Sequence, residues 1–254
     1  NNIYLAEDAC ESLGTLYKGK QVGTFGEVGT FSSFFSHHLT TMEGGLVCCN
    51  NNDLYYQAKL LRAHGWLRAI QNNGLDEFCT KRGISISEFK GIDSRYLFLD
   101  EGYNLRPTEI NASFGIHQLK KLENFNYKRK ELSSIFYKEL SKLKHLAGPK
   151  IVSGCEPCFM ALPFSIKSEK FGALNAIKYL EERGVESRPL IAGNILKHPV
   201  SKHINLESTH VELKGADYHH HKSLYVGLSP NHSFEDIDRL SKIMRDLNKL
   251  IDES

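Results

Sequence analysis

Ile3-Tyr-Leu-Ala6 runs straight into two carboxylates, Glu7 and Asp8. A central parallel strand ends in this way at a ligand-facing sheet edge. The start of the chain therefore predicts a buried strand with Asp8 at its functional end. Residues 28–35 and 46–49 read as two further strands, separated by a loop that holds His37-His38 and Gly44-Gly45. Asp53 predicts a helix cap, with Leu54, Ala58 and Leu61 on one face and Gly65 as the stop. Residues 66–100 are polar and irregular, with Gly74, Gly83 and Gly91, and read as a long surface insertion.

Pro107 predicts the first turn of a helix that runs on to about Leu143, with Phe125, Leu132, Phe136, Leu140 and Leu143 as its apolar stripe. Gly148-Pro149 is the expected domain boundary. Beyond it come a strand at 160–166, a helix from Ser168 with Phe171, Leu174, Ile177 and Leu180 on one face, and a stop at Gly184. Residues 185–190 read as extended and 224–226 as a short strand ended by Gly227. Ser233-Phe-Glu-Asp236 can cap a last helix whose core face is Ile237, Leu240, Met244, Leu247 and Ile251. The pattern is α/β, with domains at 1–148 and 149–254 and no internal repeat.

A chain of 254 residues can bury a sizeable core. A net charge of +2, without a long basic run, gives no overall field for nucleic acid or an anionic membrane. No apolar stretch is long enough to span a bilayer, and no signal-like segment opens the chain. The abrupt start, without Met, reads as a fragment of a domain. Six cysteines do not form the disulfide framework of a small secreted domain, and point to a reduced, cytoplasmic setting. Cys155-Glu-Pro-Cys158 is a CxxC, but no second pair stands at zinc-ribbon spacing, so no metal is expected.

The chemistry concentrates in Phe31-Ser-Ser-Phe-Phe-Ser-His-His-Leu-Thr-Thr-Met-Glu-Gly-Gly45. In an extended segment the two histidines point to opposite faces, which predicts different roles. An imidazole moves protons near neutral pH. The plain alternative is one buried histidine beside one exposed. Asp8 is a helix cap by type, and a helix over 9–13 would use it so. Its spacing to the histidine loop favours a place in the site. Glu11 reads either as support for that site or as part of a solvated face. Ser32, Ser36 and Thr40 are hydroxyl donors around the loop. Asn104 and Arg106, in Gly102-Tyr-Asn-Leu-Arg-Pro107, lead into the next helix. The run His219-His-His221 reads as a solvated turn.

These segments together resemble the sugar aminotransferase and dehydratase family of pyridoxal phosphate enzymes. His37 stands six residues before Glu43 of Glu-Gly-Gly, where aminotransferases of that family carry the lysine that holds the cofactor. No lysine lies between Lys20 and Lys59. The replacement is similar to the histidine-containing branch, the NDP-4-keto-6-deoxyhexose 3-dehydratases. The resemblance implies a fold type I aminotransferase-like architecture: an incomplete large domain with a mixed sheet and linking helix, then a small C-terminal α/β domain. It implies pyridoxal or pyridoxamine phosphate as cofactor, with His37 as catalytic base. Asp8 would pair with the ring nitrogen, supported by Glu11, while Ser32 and the neighbouring subunit's Asn104 would bind the phosphate. Arg188, in Ser187-Arg-Pro-Leu-Ile-Ala-Gly-Asn194, and Arg106 would meet substrate or co-substrate. Glutamate would be the amino donor, and the shared site would make the enzyme a homodimer. One subtype of the branch adds an iron–sulfur cluster on several cysteines; that region here holds only Cys79, so no cluster is expected. The implied activity is removal of the C3 hydroxyl from a nucleotide-linked sugar, GDP-linked by preference, in deoxysugar and O-antigen biosynthesis. The rivals are a true aminotransferase and an inactive truncated relative that only binds.

Overall fold

A computed structural model describes residues 3–70, 75–203 and 212–253. The chain forms two compact units, residues 1–122 and 123–254. The division falls upstream of Gly148-Pro149, because the long helix that precedes those residues packs its stripe into the second core.

The first unit is built on a three-stranded mixed sheet in the order β1-β4-β5, with β1 (Ala6–Asp8) parallel to β4 (Val28–Ser32) and β4 antiparallel to β5 (Gly45–Cys49). Between β1 and β4, a two-residue hairpin of β2 (Leu16–Tyr17) and β3 (Lys20–Gln21) turns the chain. The expected buried strand at 3–6 is corrected. Ile3, Tyr4 and Leu5 are exposed, and β1 begins only at Ala6. Among the described residues β1 pairs with β4 alone, so it is an edge and nothing covers its apolar lead. The expected helix over 9–13 is a pair of turns closed by Ser12 N–H on Ala9 C=O and Thr15 N–H on Ser12 C=O.

Helix α1 (Asn52–Arg62) is capped by the Asn51 carboxamide, which accepts from the N–H groups of Asp53 and Leu54. The cap thus stands two residues before Asp53, and Asp53 lies in the first turn, where a carboxylate suits the helix dipole. The buried face is Tyr56, Leu60 and Ala63 rather than the expected stripe; Gly65, at φ +70°, ends the helix. Residues 66–100 are more than a surface loop. Their 3-10 turns at Leu67–Ile70, Ile86–Phe89 and Ser94–Tyr96, with α2 (Leu75–Lys81), enclose a satellite core of Leu67, Ile70, Phe78, Cys79 and Leu97 against α1. Gly74 lies outside the described residues.

The expected helix 107–143 is two helices, α3 (Glu109–Leu119) and α4 (Leu122–Leu140), interrupted at Lys120-Lys121. Pro107 lies before the helix rather than in its first turn, and Thr108 supplies the cap: its hydroxyl accepts from Asn111 N–H.

The second unit has an antiparallel sheet in the order β6-β8-β10-β9: β6 (Leu146–Ala147), β8 (Ala161–Ile166), β10 (Ser223–Gly227) and β9 (Ser187–Pro189). A two-residue strand, β7 (Cys155–Glu156), precedes β8. Every second residue of β8 is buried, as the pleat requires. Leu162, Phe164 and Ile166 meet Leu132, Phe136 and Leu140 of α4 and the stripe of α7 (Phe234–Asp252) in one core. Ser233 and Asp236 cap α7 reciprocally, as the sequence predicts. Helix α5 (Ala173–Glu181) begins after Gly172, later than Ser168, and its buried residues are Ala173, Ala176 and Leu180 while Leu174 is 76% exposed. Arg129 is buried and donates to the carbonyls of Met160 and Leu228, fastening α4 to both strand ends.

The run His219–His221 is the last turn of α6 (Lys214–Lys222), with His219 and His221 exposed and His220 half-buried. His219 Nδ1 bonds Ser223 Oγ at 2.8 Å, His220 Nδ1 accepts from Asn194 N–H at 3.3 Å, and His221 Nε2 accepts from the Lys197 ammonium at 3.3 Å. His220 and His221 pin the segment after β9 to the helix, while His219 bonds the helix's own C-cap.

Candidate active site

Asp8 lies opposite Thr30 in the parallel β1–β4 ladder. Residues two apart on a strand share a face, so Asp8, Thr30 and Ser32 stand on one side of the sheet. Phe31 is buried on the other. The Cys10 thiol, the Cys10 N–H at 3.1 Å and the Thr30 hydroxyl hold the Asp8 carboxyl below its ordinary value. Asp8 therefore stays ionised at neutral pH. Its neighbour Glu7 does structural duty. Glu7 accepts the N–H groups of Gly23, Phe25 and Gly26 at 2.7, 2.5 and 2.6 Å. That turn lies directly on β4: a Cβ at Gly29 would sit 1.8 Å from the Gly23 carbonyl oxygen.

Ser32 Oγ accepts from Phe34 N–H at 3.1 Å, and its own proton has no acceptor among the described residues. It is thus available to an incoming anion. The chain then leaves the strand and makes a loop that returns at Thr41. Thr41 N–H donates to the Ser33 carbonyl at 2.8 Å, and Ser33 N–H donates to the Gly44 carbonyl at 3.0 Å. The Thr41 hydroxyl donates to the Glu43 carbonyl at 2.9 Å, which leaves its oxygen to accept from Ser33 O–H at 2.6 Å. Gly44, at φ +142°, keeps this latch open: a Cβ there would press on both hydroxyls at 2.9 Å.

His37 lies inside the latched loop. Its N–H donates to the Phe34 carbonyl at 3.1 Å, and its ring meets the Phe34 ring edge-on at 5.8 Å. The imidazole Nδ1 is buried and has no hydrogen-bond partner among the described residues. An orphaned buried nitrogen is costly, and such positions in native proteins call for a specific explanation. The strand expected over 28–35 ends at Ser32 and residues 35–39 are turn and bend, so strand alternation does not set the two rings; His38 is buried and His37 half-buried.

Asn104 is held by an antiparallel bridge to Ala63. Its Oδ1 accepts from Arg106 Nε at 3.0 Å, leaving the amide N–H2 as its donor end. Arg106 also donates to His64 Nε2 at 3.4 Å and lies 5.6 Å over the Trp66 ring. His64 and Trp66, which sequence reasoning passed over, thus set the geometry of the pair it chose. Glu11 is exposed on the turn after β1, with no hydrogen bond among the described residues. Arg188 is exposed on β9 of the second unit, bonded to the Glu186 carboxylate. The structure thus brings Asp8 and Ser32 onto one sheet face and couples Asn104 to Arg106, while Glu11 stands apart.

The residues present suit pyridoxal phosphate. An ionised carboxylate, hydroxyl and amide donors and an imidazole with an unsatisfied nitrogen match a ring nitrogen, a phosphate and a carbon acid in turn. Among the described residues no group of three or more His, Cys, Asp or Glu side chains is placed to hold a metal ion.

The chain belongs to the DegT/DnrJ/EryC1/StrS aminotransferase family, whose model matches residues 1–245. It is 36% identical over 249 residues to the GDP-4-keto-6-deoxy-D-mannose 3-dehydratase of Yersinia pseudotuberculosis, covering 98% of this chain and 60% of that protein. Among solved structures, it is similar to the Escherichia coli enzyme of that name with bound hydrated PLP, at TM-score 0.84 and 33% identity over 96% of this chain and 60% of that one. It is also similar to a histidine-to-asparagine variant of GDP-4-keto-6-deoxymannose-3-dehydratase (ColD) with bound GDP-perosamine, at TM-score 0.85 and 32% identity over 96% of this chain and 61% of that one. The architecture is thus α/β, of the fold type I aminotransferase-like class, and the chain spans about 60% of the length of these relatives.

Proposed function

We propose that this chain carries the proton-transfer base and part of the cofactor cradle of a sugar-nucleotide 3-dehydratase, a lyase that depends on pyridoxal and pyridoxamine phosphate. The observation that carries this reading is His37: an imidazole with a buried, unpartnered Nδ1 stands where transaminating relatives are expected to hold lysine. The cofactor supplies an electron sink beside the substrate. The Asp8 carboxylate holds its ring nitrogen protonated. Ser32 O–H and the Asn104 amide donate to its phosphate, Asn104 from the neighbouring subunit of a homodimer. His37 takes the proton from the carbon next to the ring and returns it to the departing C3 hydroxyl. Glutamate then restores the amine form, with His37 again as base. Arg188 meets the substrate or co-substrate, and Arg106 the substrate. Glu11 acts only as outer support. The first unit, up to the long helix, is the cofactor-binding part and the C-terminal sheet the small domain.

The relative bound to GDP-perosamine supports a GDP-linked 4-keto-6-deoxyhexose as substrate; the setting we propose is deoxysugar synthesis for O-antigen. None of the described helices is long and apolar enough to cross a membrane. The site of action we propose is the cytoplasm.

The test is incubation of the protein with a GDP-4-keto-6-deoxyhexose, glutamate and pyridoxal phosphate. Ammonia and a 3-deoxy sugar are expected; an amino sugar would mean transfer instead. His37→Asn should abolish turnover while the cofactor still binds, and turnover at the unaltered rate in that variant would remove His37 from the mechanism.

A further inference from the structure

We infer that Asn111 is a positioning residue for His37, acting through Thr41. The inference rests on the reading of His37 as the base. Asn111 lies in the first turn of α3, seventy residues along the chain from Thr41. Its Nδ2 donates to the Thr41 carbonyl at 2.6 Å, and its Oδ1 accepts the proton of the capping Thr108 hydroxyl. One carboxamide thus joins the helix cap to the end of the histidine loop. The seat is tight on its other side, since a Cβ at Gly115, one turn further along α3, would lie 2.7 Å from Thr41 Cγ2.

Thr41 is the closing residue of the loop. Its N–H and hydroxyl both bond Ser33, at 2.8 and 2.6 Å, and His37 lies midway between the two. Two of the holds that place the imidazole relative to the sheet edge are therefore Ser33, the residue after β4, and Thr41, which α3 holds. Helix capping alone needs only the acceptor end of Asn111; the donor end serves the histidine loop. Displacement of a reacting group by about 1 Å can cost about a hundredfold in rate, so the donor end bears on catalysis.

Two variants separate these roles. N111D keeps the acceptor for Thr108 and loses the donor for Thr41. G115A, favoured in a helix by propensity, pushes Thr41 without touching Asn111. The first readout is the His37 imidazole ¹H–¹⁵N signals of the whole chain, assigned with H37N. The second is the glutamate-driven conversion of pyridoxal to pyridoxamine phosphate by the holoenzyme, followed by absorbance against glutamate concentration. Both variants are expected to move the His37 signals and to slow the conversion by about tenfold to a hundredfold, at unchanged half-saturating glutamate. Unmoved His37 signals in both variants would overturn the inference. The two failures read differently. An active H37N beside moved signals in N111D removes His37 as the base, and an inactive H37N beside unmoved signals removes Asn111 alone.

Discussion

Replacing Glu7 by glutamine perturbs the support beneath Asp8. A glutamine amide offers one acceptor oxygen and one N–H2 donor where Glu7 has two acceptors. Its oxygen can keep the Phe25 and Gly26 N–H groups, now at 2.5 and 2.6 Å, but the N–H2 then faces the Gly23 N–H, now 2.7 Å from Oε2. One charge-assisted bond is lost and two weaken to neutral strength. Bonds to charged groups contribute about 1.5–3 kcal/mol net. The carboxylate is half-buried, which places the loss near the lower end, about 2 kcal/mol. That is about thirtyfold in a local opening constant. Amide hydrogen exchange is the assay. Gly23 should exchange about thirtyfold faster in the variant, Phe25 and Gly26 less so, and β8 of the second unit not at all. The acid dependence follows. Burial pushes the Glu7 carboxyl up, but the N–H groups of Gly26, Gly23 and Phe25 outweigh it and hold the carboxyl below its ordinary value. A depressed folded value means a contribution complete above the unfolded value, about 4.3, and lost as pH falls through the folded one. The variant has no such carboxylate, so this acid limb should vanish. Wild-type protection at Gly23 with an intact acid limb would refute the reasoning.

Leu180→Ala should cost about 2–5 kcal/mol in urea unfolding and Leu174→Ala less than about 0.5 kcal/mol, because Leu180 is 0% and Leu174 76% exposed; equal losses would show that the helix is turned otherwise. The Asp252 carboxyl, paired with Lys144 and His145 at 2.7 and 2.8 Å, should titrate at about 2 by carbon NMR. Its contribution is complete above about 3.9 and is lost as pH falls through that lower value, and Lys144→Ala should raise it. At neutral pH a maleimide should label exposed Cys48 and leave buried Cys158 unreacted, because burial pushes the Cys158 thiol up to about 11; labelling of Cys158 in the folded chain would count against that core.

Local signals were read well where one side chain acts on its own neighbourhood. Ser233 and Asp236 cap α7 reciprocally because both partners lie within one turn. The strands around the histidine loop, Gly65 as a stop and the stripe of α4 were legible for the same reason. Misreadings arose where several local candidates compete and packing chooses. Asn51 caps α1 instead of Asp53, Pro107 stands before the Thr108 cap of α3 rather than in the first turn, and Leu174 faces water while Ala173 and Ala176 face the core. The polar stretch 66–100 was taken for a loop because its apolar residues, Leu67, Ile70, Phe78 and Leu97, follow no single period.

For the candidate site, residue type and spacing pointed to His37 and Asp8, because an imidazole and a strand-end carboxylate carry their chemistry in any fold, while Ser32 and Asn104 were read from the family resemblance. What supports them was invisible along the chain. Glu7 binds a turn sixteen to nineteen residues away, Arg106 meets His64, and Asn111 reaches Thr41 across seventy positions. The amino-acid order alone determined which groups can react and how the last helix begins, since those properties are set within a turn or two of backbone. Only the tertiary structure decided which nitrogen is left without a partner and which distant amide holds the histidine loop, since both depend on chain segments brought together by burial.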